Sequence, residues 1–330
     1  MPTSTTKGVN QKGIVEIILV LAVVTILIGG ALLYTQKSSN KSQDTLQLKN
    51  PEQTEKKESE WKGGGVAIEG NFADAEVIEV EDGKYRIYYT IEPEVPGNKL
   101  EIYSATSTDG KNWTKDEGIR KTFATFPDVI KLDDSRFRMY FQNAGVIKSA
   151  VSNDGLNWTD EPGIRVDALN NSGLKLENVA ATTTTILPDG SYLMVYRGQV
   201  NKKYPEKTPN SSMQLLLYAT SKDGLTFDKR GVALDSRTSK TLKGLTDGPE
   251  VVQWDNGEVR LYFWSYKGIY HVNFKDGNFT KEPVFDFTTS DNPLSEFPEN
   301  PPGDPTLAKI NGKWFMYYGQ HTKGIYYVTF

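Results

Sequence analysis

The chain has 330 residues and a formal net charge of −4, so no basic face argues for a nucleic-acid partner. It has no cysteine and only two histidines, His271 and His321, which excludes a disulfide framework, a thiolate metal site and a histidine-rich one. Aromatic residues make up 11%, including 17 tyrosines, and 29 glycines with 16 prolines supply turns, a composition that favours β structure over a helix bundle.

Residues 1–13 are a short polar tail. Residues 14–34, IVEIILVLAVVTILIGGALLY, form an apolar run of the length that spans a bilayer core, with Glu16 near one end and no polar face. The pattern predicts a single-pass transmembrane helix. A cleaved signal peptide is the competing reading, with Gly29 and Ala31 as small residues near a cut, but signal peptides carry shorter apolar regions. The start also resembles type IV prepilins, although Glu16 stands three residues after Gly13 where that family has five. Lys7 and Lys12 precede the helix and Lys37 and Lys41 follow it, so with the amino terminus added the expected orientation is a cytoplasmic tail and an extracytoplasmic domain. Residues 35–60 are rich in Ser, Gln, Lys and Glu and read as a disordered tether.

From residue 61 the chain repeats itself. AEVIEVEDGKYRIYYT (75–90), PDVIKLDDSRFRMYFQ (127–142), TTTILPDGSYLMVYRG (183–198), EVVQWDNGEVRLYFWS (250–265) and DPTLAKINGKWFMYYG (304–319) each read as an apolar strand, a turn and an alternating aromatic strand. A second unit follows: ATSTDGKNWTKDEGI (105–119), AVSNDGLNWTDEPGI (150–164), ATSKDGLTFDKRGVA (219–233) and a degenerate NFKDGNFTKEPVF (273–285). Asp109, Asp154 and Asp223 are read as turn residues, and Trp113, Trp158, Phe227 and Phe279 as wedges between neighbouring sheets. Four strands per unit and five units predict an all-β, five-bladed β-propeller over 61–330. The fifth unit ends at GIYYVTF (324–330), after its third strand, and WKGGGVAI (61–68) matches the missing fourth, so the first strand of the domain is expected to close the ring.

In a propeller the first strand of each blade lines the central channel, and its start shares a rim with the end of the second strand. The strand starts place Asp74, Asp128, Asp247 with Glu250, and Asp304 on that rim, with Glu177 just before the TTTT run of the third blade. The second-strand ends add Gln142 and Asn143, Arg197, Trp264, Gln320 and His321. Carboxylates and amides bond hydroxyl groups, and an indole packs on the C–H face of a sugar ring, so the set suits an oligo- or polysaccharide. Against this, Asp and Asn often begin strands only because they satisfy turn backbone.

ADAEVIEVEDGKYRIYY, PDVIKLDDSRFRMYF, DGPEVV and GDPTLAKINGKWFMYYG resemble the five-bladed propellers of the arabinanase–levansucrase–invertase superfamily, nearest to glycoside hydrolase family 43, over about 61–330. The resemblance implies three channel-mouth acids: a base at Asp74, a second Asp at Asp128, and an acid in a Glu-Gly-Pro motif that here reads Asp247-Gly-Pro with Glu250 close behind. Ala75 stands where the family often has Pro after the base, and the Asn-Asp-Pro-Asn opening of the invertase branch is absent. It implies no organic cofactor and leaves room for a channel calcium ion, for which the sequence offers no ligand set. Three functions follow: an anchored glycosidase working by inversion, a non-catalytic propeller binding glycans or a surface partner, and a sialidase-like enzyme. The last is suggested by the Ser-x-Asp-Gly boxes but lacks an arginine cluster, Arg197 alone being well placed. The insertion at 199–213 is expected to shape a subsite.

Overall fold

The computed structural model describes residues 59–91, 99–210, 212–289, 295–320 and 322–330. The tail, the apolar segment 14–34 and nearly all of the tether therefore lie outside the described residues, as does His321.

Five antiparallel sheets alternate apolar inward positions with hairpin turns, as the sequence period requires. Strand β1 (Lys62–Glu69) comes first in the chain but belongs to the last blade. Blade I holds β2 (Phe72–Glu81), β3 (Lys84–Ile91), β4 (Glu101–Ser107) and an outer edge split into β5 (Thr114–Lys115) and β6 (Lys121–Thr122). Blade II holds β7 (Thr125–Lys131), β8 (Phe137–Asn143), β9 (Val146–Ser152) and β10 (Thr159–Val166). Blade III holds β11 (Asn178–Ile186), β12 (Tyr192–Val200), β13 (Met213–Ser221) and β14 (Asp228–Leu234). Blade IV holds β15 (Asp247–Gln253), β16 (Val259–Ser265), β17 (Gly268–Lys275) and an edge divided into β18 (Asn278–Phe279) and β19 (Val284–Phe287). Blade V holds β20 (Gly303–Ile310), β21 (Lys313–Gln320) and β22 (Gly324–Thr329), and β1 supplies its outer strand, pairing Val66 with Tyr326 and Ile68 with Ile325. The ring is closed by the strand that the sequence offered for it. The inner strands β2, β7, β11, β15 and β20 contact one another in cyclic order around the channel.

The Ser-x-Asp-Gly turns lock neighbouring blades. Ser107 Oγ accepts from the amides of Asp109 and Gly110, and Asp109 Oδ1 accepts from those of Lys111 and Asn112. Those amides hold the Asp109 carboxyl well below the usual carboxylate range. The turn then offers its glycine carbonyl to the blade before it: Tyr317 donates to Gly110 O at 2.7 Å, Tyr88 to Gly155 O at 2.8 Å and Tyr140 to Gly224 O at 2.8 Å. Each box aromatic meets a tyrosine of that preceding blade edge-on, Trp113 on Tyr317, Trp158 on Tyr88 and Phe227 on Tyr140. Blade IV repeats the tyrosine as Tyr262, but blade V has no box, because the two ends of the domain meet there; Trp61 and Phe330 pack on Trp254 instead, and the Tyr262 hydroxyl is buried without a hydrogen-bond partner.

Candidate active site at the channel mouth

All five inner strands carry the same irregularity near their start. The register slips between Ala73 and Glu76, Thr125 and Asp128, Ala180 and Thr182, Asp247 and Glu250, and Gly303 and Thr306. At each slip one residue has a left-handed backbone: Asp74 (φ 53°), Phe126 (φ 50°), Ala181 (φ 43°), Gly248 (φ 55°) and Asp304 (φ 46°). Such bulges re-aim side chains and recur beside active sites, and non-glycine residues are held in this region only by their surroundings. At blade IV the glycine is required, since a Cβ there would lie 2.5 Å from Asp304 Oδ1.

The bulge sorts the expected acids into three levels. Asp247 stands outermost, beside Arg197 Nη1 of blade III at 3.4 Å, and accepts from the Gly248 amide at 2.8 Å. Asp74 and Asp304 share the bulge level: Thr90 Oγ1 donates to Asp74 Oδ2 at 2.6 Å, and Trp264 Nε1 donates to Asp304 Oδ1 at 3.1 Å. Two residues deeper runs a ring of Glu76, Asp128, Thr183, Glu250 and Thr306, one from each blade. Placing Asp128 and Glu250 on the rim with Asp74 is thus corrected: both belong to the deeper ring.

Four of the five ring residues reach the backbone of the next blade. Glu76 accepts from the Val129 amide, Asp128 from that of Thr184, Thr183 from Val251 N at 3.0 Å and Glu250 from Leu307 N at 3.3 Å. The TTTT run, which interrupts the acidic pattern in the sequence, supplies donors: Thr184 Oγ1 to Asp128 Oδ2 at 2.7 Å and Thr183 Oγ1 to Glu250 Oε2 at 3.2 Å. Thr306 Oγ1 lies 3.3 Å from both Glu76 Oε2 and Glu250 Oε1. Its one proton serves one carboxyl at a time, so the other contact is a hydrogen bond only when a carboxyl brings a proton of its own.

Electrostatics require the same. Burial, followed by the charges of Glu250 and Asp128, pushes the Glu76 carboxyl well above its ordinary range; Glu76 keeps some exposed surface, but it faces the channel rather than bulk solvent. Burial likewise raises Asp128, reinforced by the charge of Glu250, and lifts Glu250 to about 7. The three form a coupled set that holds protons near neutrality.

Above the ring lies a cavity of about 30 Å³, lined by Asp74, Glu76, Glu250 and Asp304 together with Phe126 and Thr182. That is room for a water or two, and Thr182 Oγ1, buried in its wall, has no hydrogen-bond partner. Asp128 does not line it. Among the described residues no group of three or more His, Asp or Glu side chains is arranged to hold a metal ion. The ring carboxyls are directed to hydroxyls and amides, so they do not fit a calcium cage.

The remaining expected residues are held as follows. Gln142 Oε1 accepts from Thr125 Oγ1 at 3.3 Å, Asn143 Nδ2 donates to Phe123 O at 2.7 Å, and Gln320 Nε2 donates to Thr289 Oγ1 at 3.0 Å. Glu177 is exposed and bonded to Gln199 at 3.1 Å. The insertion after β12 packs on the segment that leads into blade IV: Tyr204 donates to Ser239 O at 3.2 Å, and Lys243 is gripped by Glu206 and Glu296. Glu76 was missed by sequence reasoning, although AEVIEV aligns it with Asp128 in PDVIKL and Glu250 in PEVVQW.

No family model matches the chain, and no curated protein matches it. Solved structures do. A GH43_1 enzyme from Xanthomonas citri superposes with a TM-score of 0.57 at 13% identity, covering 81% of this chain and 89% of that one. An α-L-arabinofuranosidase (CtGH43) from Clostridium thermocellum gives 0.52 at 17%, covering 74% and 81%. A structure described as belonging to the GH130 family of mannoside phosphorylases, with glycoside hydrolases that target β-1,2 mannosidic linkages in Candida mannan, gives 0.56 at 15%, covering 79% and 84%. At these identities the likeness is one of fold, and the fold is that of GH43-type propellers.

Proposed function

We propose that the domain is a glycoside hydrolase-like propeller that cleaves glycosidic bonds with inversion, held at a membrane by residues 14–34 with the propeller on the extracytoplasmic side. One observation carries the chemistry. Asp74 and Glu250 wall the same small cavity, and Glu250 keeps its proton near neutral pH. Inversion needs a carboxylate to activate water on one face of the sugar and a protonated carboxyl to serve the leaving oxygen. Asp74, oriented by Thr90, is the base, and the cavity beside it has room for the attacking water. Of the two carboxyls that the resemblance offers as acid, Asp247 is engaged by Arg197 while Glu250 carries the raised pKa, so Glu250 is the donor. Asp128 and Glu76 belong to the same ring, where the charge of an ionised Glu250 opposes their ionisation. The similarity to GH43 and GH130 structures supports the carbohydrate class.

A second reading, a non-catalytic glycan-binding propeller, draws on the small volume of the cavity over the ring and on Asp247 standing where the resemblance expects a Glu. The sialidase-like reading loses its footing, because there are five blades, the boxes serve as latches, and Arg86 and Arg138 are spent on the backbone of Asp154 and Asp223. The test between the first two is turnover of a glycan panel by the wild type, Asp74→Asn and Glu250→Gln. Product from the wild type that vanishes in Asp74→Asn supports the enzyme; saturable binding with no product from any of them supports the binding propeller.

A further inference from the structure

The rim of blades I and II carries an apolar ledge that the mouth chemistry does not use. Phe123 is 75% exposed, and Leu100 is 43% exposed. They are cross-strand neighbours: β6 pairs Thr122 with Glu101, and, two residues on, the Ala124 amide donates to Leu100 O at 3.2 Å. Phe123 has a left-handed backbone (φ 54°), a conformation that a bulky residue adopts only under constraint. The constraint is visible. Ala124 is buried to 1% exposure on the inward side, and the Asn143 side chain donates to the Phe123 carbonyl at 2.7 Å. Gln142 adds a contact to Thr125. The rim amides expected to bond a ligand are therefore used to fix this turn. The result is a large aromatic ring displayed to solvent on a rigid support, a costly arrangement for a residue type that is otherwise mostly buried.

We infer that Phe123, backed by Leu100, is an aromatic platform on which a sugar unit next to the one at the channel mouth stacks. This rests on the carbohydrate reading above. Phe123 stands three residues before Phe126, which lines the mouth cavity, so the two are separated by at most roughly 10 Å of chain. A glycan whose reacting unit sits over Asp74 passes within reach of the ring. An aromatic face suits the C–H face of a pyranose or furanose, and it needs no charge on the ligand. The Asn143 hydrogen bond to the Phe123 carbonyl fixes the backbone that carries the ring, so that part of the ordering cost is met before binding. The ligand class is thus a neutral oligo- or polysaccharide of at least two units, with Phe123 setting preference for chain length rather than performing chemistry.

The test uses affinity electrophoresis of the full-length chain in gels containing arabinan, xylan, β-mannan or fructan, with Phe123→Ala and Phe123→Trp alongside and melting temperatures recorded for each. The expected result is retardation of the wild type by at least one polysaccharide, about tenfold weaker in Phe123→Ala and retained in Phe123→Trp. The melting temperatures are expected to agree, since the ring is exposed. Retardation of Phe123→Ala equal to that of the wild type overturns the platform while leaving the carbohydrate reading intact. A wild type that no polysaccharide retards refutes the carbohydrate reading itself, and the platform with it.

Discussion

Replacing Glu250 with Gln tests the buried ring without reference to activity. In the folded chain the Glu250 carboxyl is lifted from its ordinary value of 4.5 to about 7 by burial. Unfolding returns it to water and to the ordinary value. Below pH 4.5 both states hold the proton, and the group costs nothing. Between the two values the folded state holds a proton that the unfolded state has released, so wild-type stability falls as pH rises. Above about 7 the loss is complete, and a rise of that size corresponds to about 3 kcal/mol. Glutamine mimics the protonated acid: its carbonyl oxygen can still accept from Leu307 N, and its amide can donate to Thr183 Oγ1. Urea unfolding of both proteins from pH 4.5 to 8 should show near-equal stability at the acid end and an advantage for Glu250→Gln that grows to about 3 kcal/mol by pH 7–8. A difference that does not vary with pH, or that favours the wild type at pH 8, would refute the claim that this carboxyl is held protonated.

Other expectations concern the latches, the mouth and the closure. Tyr88→Phe removes the donor to Gly155 O inside the blade I–II seam and should cost about 1–3 kcal/mol in urea unfolding, whereas Tyr262→Phe, which removes a hydroxyl with no partner, should be neutral or stabilising. Gly248→Ala puts a methyl group 2.5 Å from Asp304 Oδ1 at a left-handed position, so it should lower the melting temperature by several degrees and disturb the mouth, read as lost glycan binding or turnover. Trp61→Ala strips the aromatic cluster on Trp254 and Phe330 where β1 closes the ring, and should destabilise the domain by about 3–5 kcal/mol in the same assay. If Glu250 is the acid, turnover should fall as pH rises through about 7, because the donor loses its proton; a rate that holds level to pH 9 would exclude it.

The architecture was legible because each blade writes the same alternation of apolar and polar residues, and because a fourth strand missing at Phe330 reappears at Trp61. The box aromatics were legible as wedges for the same reason. The depth of the acids was not. A bulge inserts one residue into an inner strand without breaking the hydrophobic alternation beyond it, so Asp74 and Asp128 look like equivalent strand starts when they sit on different levels. Counting from the aliphatic pair that follows the bulge (Val77-Ile78, Val129-Ile130, Val251-Val252), rather than from the first acid, aligns Glu76, Asp128 and Glu250 and would have found the ring. The occupation of Gln142 and Asn143 was equally hidden, because their partners Thr125 and Phe123 lie at the start of β7 and in the turn before it, and meet them only in the folded sheet.

The central claim is that carboxyls at the channel mouth hydrolyse a glycan. The most direct measurement incubates the wild type and Asp74→Asn with arabinan, xylan, β-mannan and fructan and identifies the released sugars by mass and anomeric configuration. The expected result is a product of inverted configuration from one polysaccharide, absent in Asp74→Asn although that variant melts like the wild type. Equal product from both proteins, or product of retained configuration, would contradict the account.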